Sequence, residues 1–113
     1  MRNQYTEVVM QNAAVATGNG NSLDMDGFNQ FMIQVTGTFE ADVEFEGTVD
    51  GSNWVAVGLQ PVATPFTVAS VATSTSDTAG VWYGNLPGLK AVRARISDYT
   101  SGNVTAFGRA IAS

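Results

Sequence analysis

Three carboxylates raise the question of chemistry first. Asp42, Glu44 and Glu46 alternate along one run of the chain, so in an extended strand they stand on one side, about 7 Å apart at successive positions given a rise of roughly 3.4 Å per residue. A pair of carboxylates at that spacing suits glycoside hydrolysis or a Ca²⁺ ion. Hydrolysis also needs a cleft and one carboxyl with a raised pKa, and an alternating, solvent-facing strand supplies neither. The three are read as a solvated face. Asp24-Met25-Asp26-Gly27 has the centre of an EF-hand loop, but placing Gly27 at the sixth loop position puts Ile33 where the bidentate Glu must stand. Ser and Thr are abundant, yet a nucleophile needs a base, and the only lysine is Lys90. The chain has no His and no Cys, which removes the commonest general base and the thiolate metal sites. No catalytic residue, metal or cofactor is expected.

The charges are unevenly distributed. Lys90, Arg93, Arg95 and Arg109 are four of the five basic residues, whereas eight of the ten acidic residues lie at or before Asp50. Two arrangements fit. Adjacent in one sheet, the groups would form cross-strand pairs contributing a few tenths of a kcal/mol to about 1 kcal/mol each. On opposite edges, they would suit a head-to-tail contact between subunits. Asp42, Glu44, Glu46, Arg93, Arg95 and Arg109 are therefore the candidate partner or oligomer contacts. Trp54, Trp82 and Tyr99 are the candidate exposed aromatics. Trp54 is either a core anchor at the start of a strand or a rim aromatic that fills a partner's pocket. Trp82 and Tyr83 point to opposite faces of one strand, so at least one belongs to the core. Tyr99 sits in the turn-like DYTSGN and caps the sandwich or meets a partner.

The elements that must position these residues are strands. Period-two alternation recurs from end to end, and helical periodicity is hard to find. Tyr5 to Met10 reads as a first strand, with Ala13 to Thr17 continuing it, and GNGNS (18–22) as a loop. Phe28 to Thr36 sets Phe31, Ile33 and Val35 against Gln30, Met32 and Gln34. Ala41 to Val49 sets Val43, Phe45 and Val49 against the carboxylates, and Trp54 to Leu59 is its hairpin partner across Asp50-Gly51, a turn of about four residues. Pro61 and Pro65 limit regular pairing, so Phe66 to Val71 reads as an edge strand or arm. ATSTSDTAG (72–80) reads as an exposed loop. Val81 to Leu86, Lys90 to Ser97 and Val104 to Ile111 complete the set, with DYTSGN (98–103) as a turn. Seven to nine short strands punctuated by Gly, Asn, Asp and Pro point to an all-β fold, an antiparallel β-sandwich or jelly-roll-like domain.

At 113 residues the chain is one domain, able to bury roughly two thirds of its unfolded surface. Residues 1–22 are either the sandwich's own first strand or an arm that adds a strand to a neighbour's open edge. Charged residues are 13% of the chain, against about 25% in an ordinary soluble domain. So weakly charged a skin suits either protein packed on protein or a Thr-rich β surface. A net charge of −5 argues against nucleic acid, and no apolar run is long enough for a membrane-spanning helix. The N-terminus has no continuous apolar segment of the signal-peptide kind, so synthesis in a cytoplasm is expected.

VEFEGTVDGSNWVAV followed by GVWYGNLPGLKAVRARISDYTSGNVTAFGRA resembles the small all-β virion structural proteins of tailed phages and prophages. The residues that carry the resemblance are Asp50, Gly51, Asn53 and Trp54 in one hairpin. In the next they are Gly88, Lys90, Val92, Arg93, Arg95, Ser97, Tyr99, Thr100, Ser101, Gly102, Val104 and Thr105. The resemblance runs from Phe28 to the C-terminus and implies a capsid decoration (cement) protein, head fibre or tail component, usually oligomeric and without catalytic residues. The expected function is a cement protein that stabilises a phage head, with the major capsid protein as partner, self-assembly into a homo-oligomer (a trimer favoured) and a place in the virion. The alternative is a carbohydrate-binding module or tail adhesin domain using Trp54, Trp82 or Tyr99 as a stacking platform.

Overall fold

The computed structural model describes residues 5–62 and 75–112. Ten strands run through them: β1 (Tyr5–Ala14), β2 (Leu23–Asp24), β3 (Gln30–Thr36), β4 (Phe39–Thr48), β5 (Val55–Ala56), β6 (Gln60–Pro61), β7 (Thr75–Ser76), β8 (Gly80–Asn85), β9 (Ala91–Gly102) and β10 (Val104–Ile111). The first sheet has the order β1-β10-β3-β8-β6; the second has the order β2-β9-β4-β5, with β7 also paired to β4. Every pairing is antiparallel. The expected antiparallel β-sandwich is what the chain forms, and the count exceeds nine because four of the strands are two-residue pieces.

The alternation builds the core as expected. Phe31, Ile33 and Val35 of β3 face inward, opposed by Val43 and Phe45 of β4 and Val92, Ala94 and Ile96 of β9, all buried. Phe45 and Trp82 meet between the sheets with ring centroids 5.3 Å apart, tilted by 50°. Gly84 of β8 also faces inward, and a Cβ there would lie 2.8 Å from both Leu59 Cδ2 and Phe31 Cζ. Gly84→Ala is therefore expected to overpack this corner and lower stability by about 1–3 kcal/mol, read from urea unfolding. A loss near zero would show that Leu59 and Phe31 move aside freely.

Residues 5–22 pair within the sandwich. β1 lies at the edge of the first sheet against β10, with register shifts between Val9 and Gln11 and between Gln11 and Ala14. The first shift turns both Met10 and Gln11 inward. The Gln11 side-chain amide then donates to the carbonyls of Ala94, at 2.9 Å, and Gly18, at 3.1 Å, which ties the edge strand to the second sheet and meets the polar demand of a buried amide.

Three sequence expectations need correction. DYTSGN is not a turn: β9 runs on through Gly102, pairing Tyr99 with Ala41, Ser101 with Glu40 and Gly102 with Phe39. Cross-strand hydrogen bonding outweighs the turn propensity of Asp, Ser and Gly. The reversal falls at Gly102-Asn103, where Gly102 has φ +86° and a Cβ would meet the Thr38 carbonyl oxygen at 2.1 Å, a site open only to glycine. Trp54 to Leu59 pairs with β4 only at Val55 and Ala56, because the chain then crosses to the first sheet, where Gln60 and Pro61 pair with β8. Within 72–80, Thr75 and Ser76 are strand residues against β4, and Gly80 opens β8. The expected strand Phe66 to Val71 lies outside the described residues.

Candidate functional site

The acid–base asymmetry resolves into a ladder on the outer face of the second sheet. β4 and β9 place Glu44 opposite Arg95 and Glu46 opposite Arg93. Arg93 Nε donates to Glu46 Oε1 at 2.9 Å, with its Nη2 2.8 Å from the same oxygen. Arg95 bridges both acids, from Nε to Glu46 Oε2 at 3.2 Å and from Nη2 to Glu44 Oε1 at 2.6 Å. Only 10% of the Glu46 side chain and 15% of that of Arg93 is exposed. These four residues thus satisfy one another within one chain, the first of the two arrangements that the sequence allowed. Asp42 and Arg109 are not part of the ladder. Asp42 stands in register with Asp98, and Arg109 belongs to the first sheet, where it pairs with Glu7 and lies 4.4 Å over the Tyr5 ring.

The three candidate aromatics are held by the fold. Trp82 is 6% exposed and belongs to the core, contrary to its candidacy for an exposed platform, because its strand faces β4 at that position. Trp54 is half-buried, with the Arg93 guanidinium 4.1 Å from its ring centroid. It caps the ion-pair ladder rather than anchoring the core, a cation–π contact of moderate strength. Tyr99 is half-buried against the core, and its hydroxyl donates to the Gly102 carbonyl at 2.6 Å.

The turn before Trp54 is built on Asp50. Its Oδ1 accepts from the backbone N–H of Ser52 and Asn53, each at 2.8 Å, and from the Thr48 hydroxyl at 3.0 Å, while Oδ2 accepts from the Asn53 side-chain amide at 2.7 Å. These bonds, led by that from the Asn53 backbone, hold the Asp50 carboxyl well below the usual carboxylate range. The turn's stability is thus present above the ordinary Asp pKa and is lost as pH falls through the lowered one. DGSN is a structural turn that aims Trp54 at Arg93.

The outer face of the first sheet is the feature that sequence reasoning missed. Tyr5 and Val9 of β1, Phe107, Arg109 and Ile111 of β10, Met32 and Gln34 of β3, Val81 and Tyr83 of β8 and Gln60 of β6 point outward in register. Tyr5, Val9, Met32, Val62 and Ile111 are each 37–42% exposed. Beside Met32 and Tyr83 lies an open groove of about 490 Å³. A signal was present in the alternation of β10, whose inward positions are small (Ala106, Gly108, Ala110) while Phe107 and Ile111 take the outward phase. Opposite in character is a concavity of about 280 Å³ at the end of the second sheet, bordered by Glu40, Asp42, Asp77 and Asp98. Among the described residues no cluster of three or more ligating side chains suits a metal ion, and no helix is long and apolar enough to cross a membrane.

Comparison with known proteins gives a family and two solved folds. The XepA family model matches residues 4–110. The SPBc2 prophage-derived protein YomS superposes with a TM-score of 0.83 at 18% identity, covering 99% of this chain and 96% of that one. The PBSX exported protein XepA superposes with a TM-score of 0.85 at 21% identity, covering 99% of this chain, which spans 39% of the XepA chain. No curated protein sequence matches. The resemblance to small all-β phage proteins is met by this family and these two folds.

Proposed function

The chain belongs to the XepA family, and from that premise we propose that it is a non-catalytic structural protein of a phage virion, a decoration protein that stabilises the head through contacts with the major capsid protein and with copies of itself. The observation that carries this reading is the outer face of the first sheet, broad, largely apolar and preformed on rigid strands. Decoration requires a scaffold of this kind and no chemistry. Glu44 and Glu46, two of the three carboxylates spaced for hydrolysis, are engaged by Arg93 and Arg95, which supports a structural part for them. The prophage derivation of YomS and the exported character of XepA support a destination in the particle. The sugar-binding alternative draws less support, since Trp82 is in the core and Trp54 and Tyr99 are engaged within the chain.

The test is co-sedimentation of the purified protein with separated heads and tails of the phage that encodes it. Saturable binding to heads, with a rise in the temperature at which the shells rupture, is the expected result. Binding to tails alone, or to host glycans with no affinity for heads, would replace decoration with adhesion.

A further inference from the structure

We infer that Asn19-Gly20 is a self-modifying site, at which Asn19 deamidates through a succinimide to isoaspartate and aspartate; the inference is independent of the partner proposed above. The Gly20 backbone nitrogen attacks the Asn19 side-chain carbon Cγ. A bond forms between that nitrogen and Cγ, the Cγ–Nδ2 bond breaks, and the proton lost by the Gly20 N–H passes through water to Nδ2, which leaves as ammonia. Water then opens the five-membered ring at either carbonyl. One opening gives Asp. The other gives isoaspartate, in which the side-chain carbon has joined the main chain. The chain and water are the only reactants.

Three observations converge on this pair. Asn19 is the only asparagine in the chain followed by glycine, and a following residue without a side chain leaves its nitrogen open to attack. The second is that both reacting groups are free. Asn19 and Gly20 are exposed, and among the described residues neither the Asn19 carboxamide nor the Gly20 N–H has a hydrogen-bond partner. Asp50-Gly51 is the contrast: four hydrogen bonds hold its carboxylate, and the Gly51 N–H donates to the Thr48 hydroxyl oxygen at 2.9 Å. Asn21, in the same loop, is held too. Its side-chain amide donates to the Val9 carbonyl at 3.0 Å and its backbone N–H to the Met10 carbonyl at 2.9 Å.

The third is that the fold demands the glycine. Gly20 has φ +69°, and a Cβ there would stand 2.2 Å from the Met10 carbonyl oxygen and 2.5 Å from Gln11 Nε2. A larger residue, which would shield the nitrogen, has no room. The labile pair thus follows from how the loop crosses from the first sheet to the second.

The crossing also sets the consequence. Gly18 is fixed to β9 by two backbone hydrogen bonds with Ile96, at 3.1 and 2.9 Å, and takes a further one from the Gln11 side chain. Asn21 is fixed to the edge strand β1 alone, through Val9 and Met10. Asn19 and Gly20 are the link between these anchors. Isoaspartate lengthens the link by one main-chain carbon and adds a negative charge, and the weaker anchor, at Asn21, yields.

Incubation of the purified protein at 37 °C and pH 7 to 9, followed by peptide mapping and an isoaspartyl methyltransferase assay, tests this. Isoaspartate is expected at position 19 ahead of every other asparagine, and faster at the higher pH because the attacking nitrogen must lose its proton. Asn19→Gln, whose ring would need six members, is expected to stay unmodified there. In the aged protein the Asn21 amide is expected to exchange with deuterium about tenfold faster, the equivalent of one hydrogen bond. Freshly prepared Asn19→Asp carries the charge without the extra carbon and is expected to exchange as the wild type does. An Asn19 that persists in the folded protein while the urea-unfolded chain is modified there would overturn the inference. So would Asp at 19 with no isoaspartate, which marks direct hydrolysis. Equal loosening in Asn19→Asp would overturn the part assigned to main-chain length.

Discussion

Glu46→Ala is expected to lower the unfolding free energy by about 3–5 kcal/mol, the range for removing one partner of a buried ion pair. Glu46 is the hinge of the ladder: it takes Arg93 on one oxygen and Arg95 on the other, with only 10% of its side chain exposed. Without it, the Arg93 guanidinium stays trapped under Trp54 and between strands, desolvated and uncompensated. Arg95 has an alternative in Glu44 and is exposed enough, at 32%, to recover hydration. Most of the loss is thus traced to Arg93. Glu7→Ala is the internal comparison, since its pair with Arg109 is exposed, at 37% and 47%, and such pairs contribute about 0.2–1 kcal/mol. Both variants are read by urea unfolding at neutral pH. Equal small losses would mean that water reaches Arg93 and that the ladder is a surface decoration of the sheet. Against a total stability of about 5–15 kcal/mol for a domain of this kind, the expected loss makes Glu46 a determinant of folding rather than a contact residue.

How far such a result is legible in the sequence depends on what sets each feature. The strand phase is local: Phe31, Ile33 and Val35, or Val92, Ala94 and Ile96, alternate within a few residues, and the pleat sends them to one side whatever the partner. The identity of the partner is not local. Glu46 meets Arg93 only because β4 pairs with β9 across 47 residues of chain, and a shift of one residue in that register would move every carboxylate away from its arginine. The residues DYTSGN illustrate the same limit. Their composition favours a turn, and the pairing with Phe39, Glu40 and Ala41 draws them into a strand. The apolar face of the first sheet went unread for another reason. Alternation identifies an inner phase by its bulky side chains, and in β10 the bulky residues Phe107 and Ile111 occupy the outer one.

Phe45→Ala is expected to cost a similar amount, about 3–5 kcal/mol, the range for truncating a buried aromatic ring. Phe45 is fully buried on β4 of the second sheet and meets Trp82 on β8 of the first, so the ring joins two sheets that share no strand among the described residues. Val43 on the same strand and Ala94, opposite Phe45 on β9, are also fully buried, on strands whose hydrogen bonds hold them at fixed spacing. The site cannot collapse far, and a cavity persists. Trp82 reports the change directly: with the ring gone its emission is expected to shift to the red, while Trp54, stacked on Arg93, stays as it was. A double-mutant cycle with Trp82→Phe isolates the ring–ring part, expected at about 0.5–1.5 kcal/mol for a tilted pair, and assigns the remainder to the void and the lost apolar burial. A loss below about 1 kcal/mol, with unchanged Trp82 emission, would mean that the two sheets slide together to fill the gap. In that case the rigidity of the scaffold beneath the outer face of the first sheet would come from the hydrogen-bonded strands alone, and not from the packing between the layers.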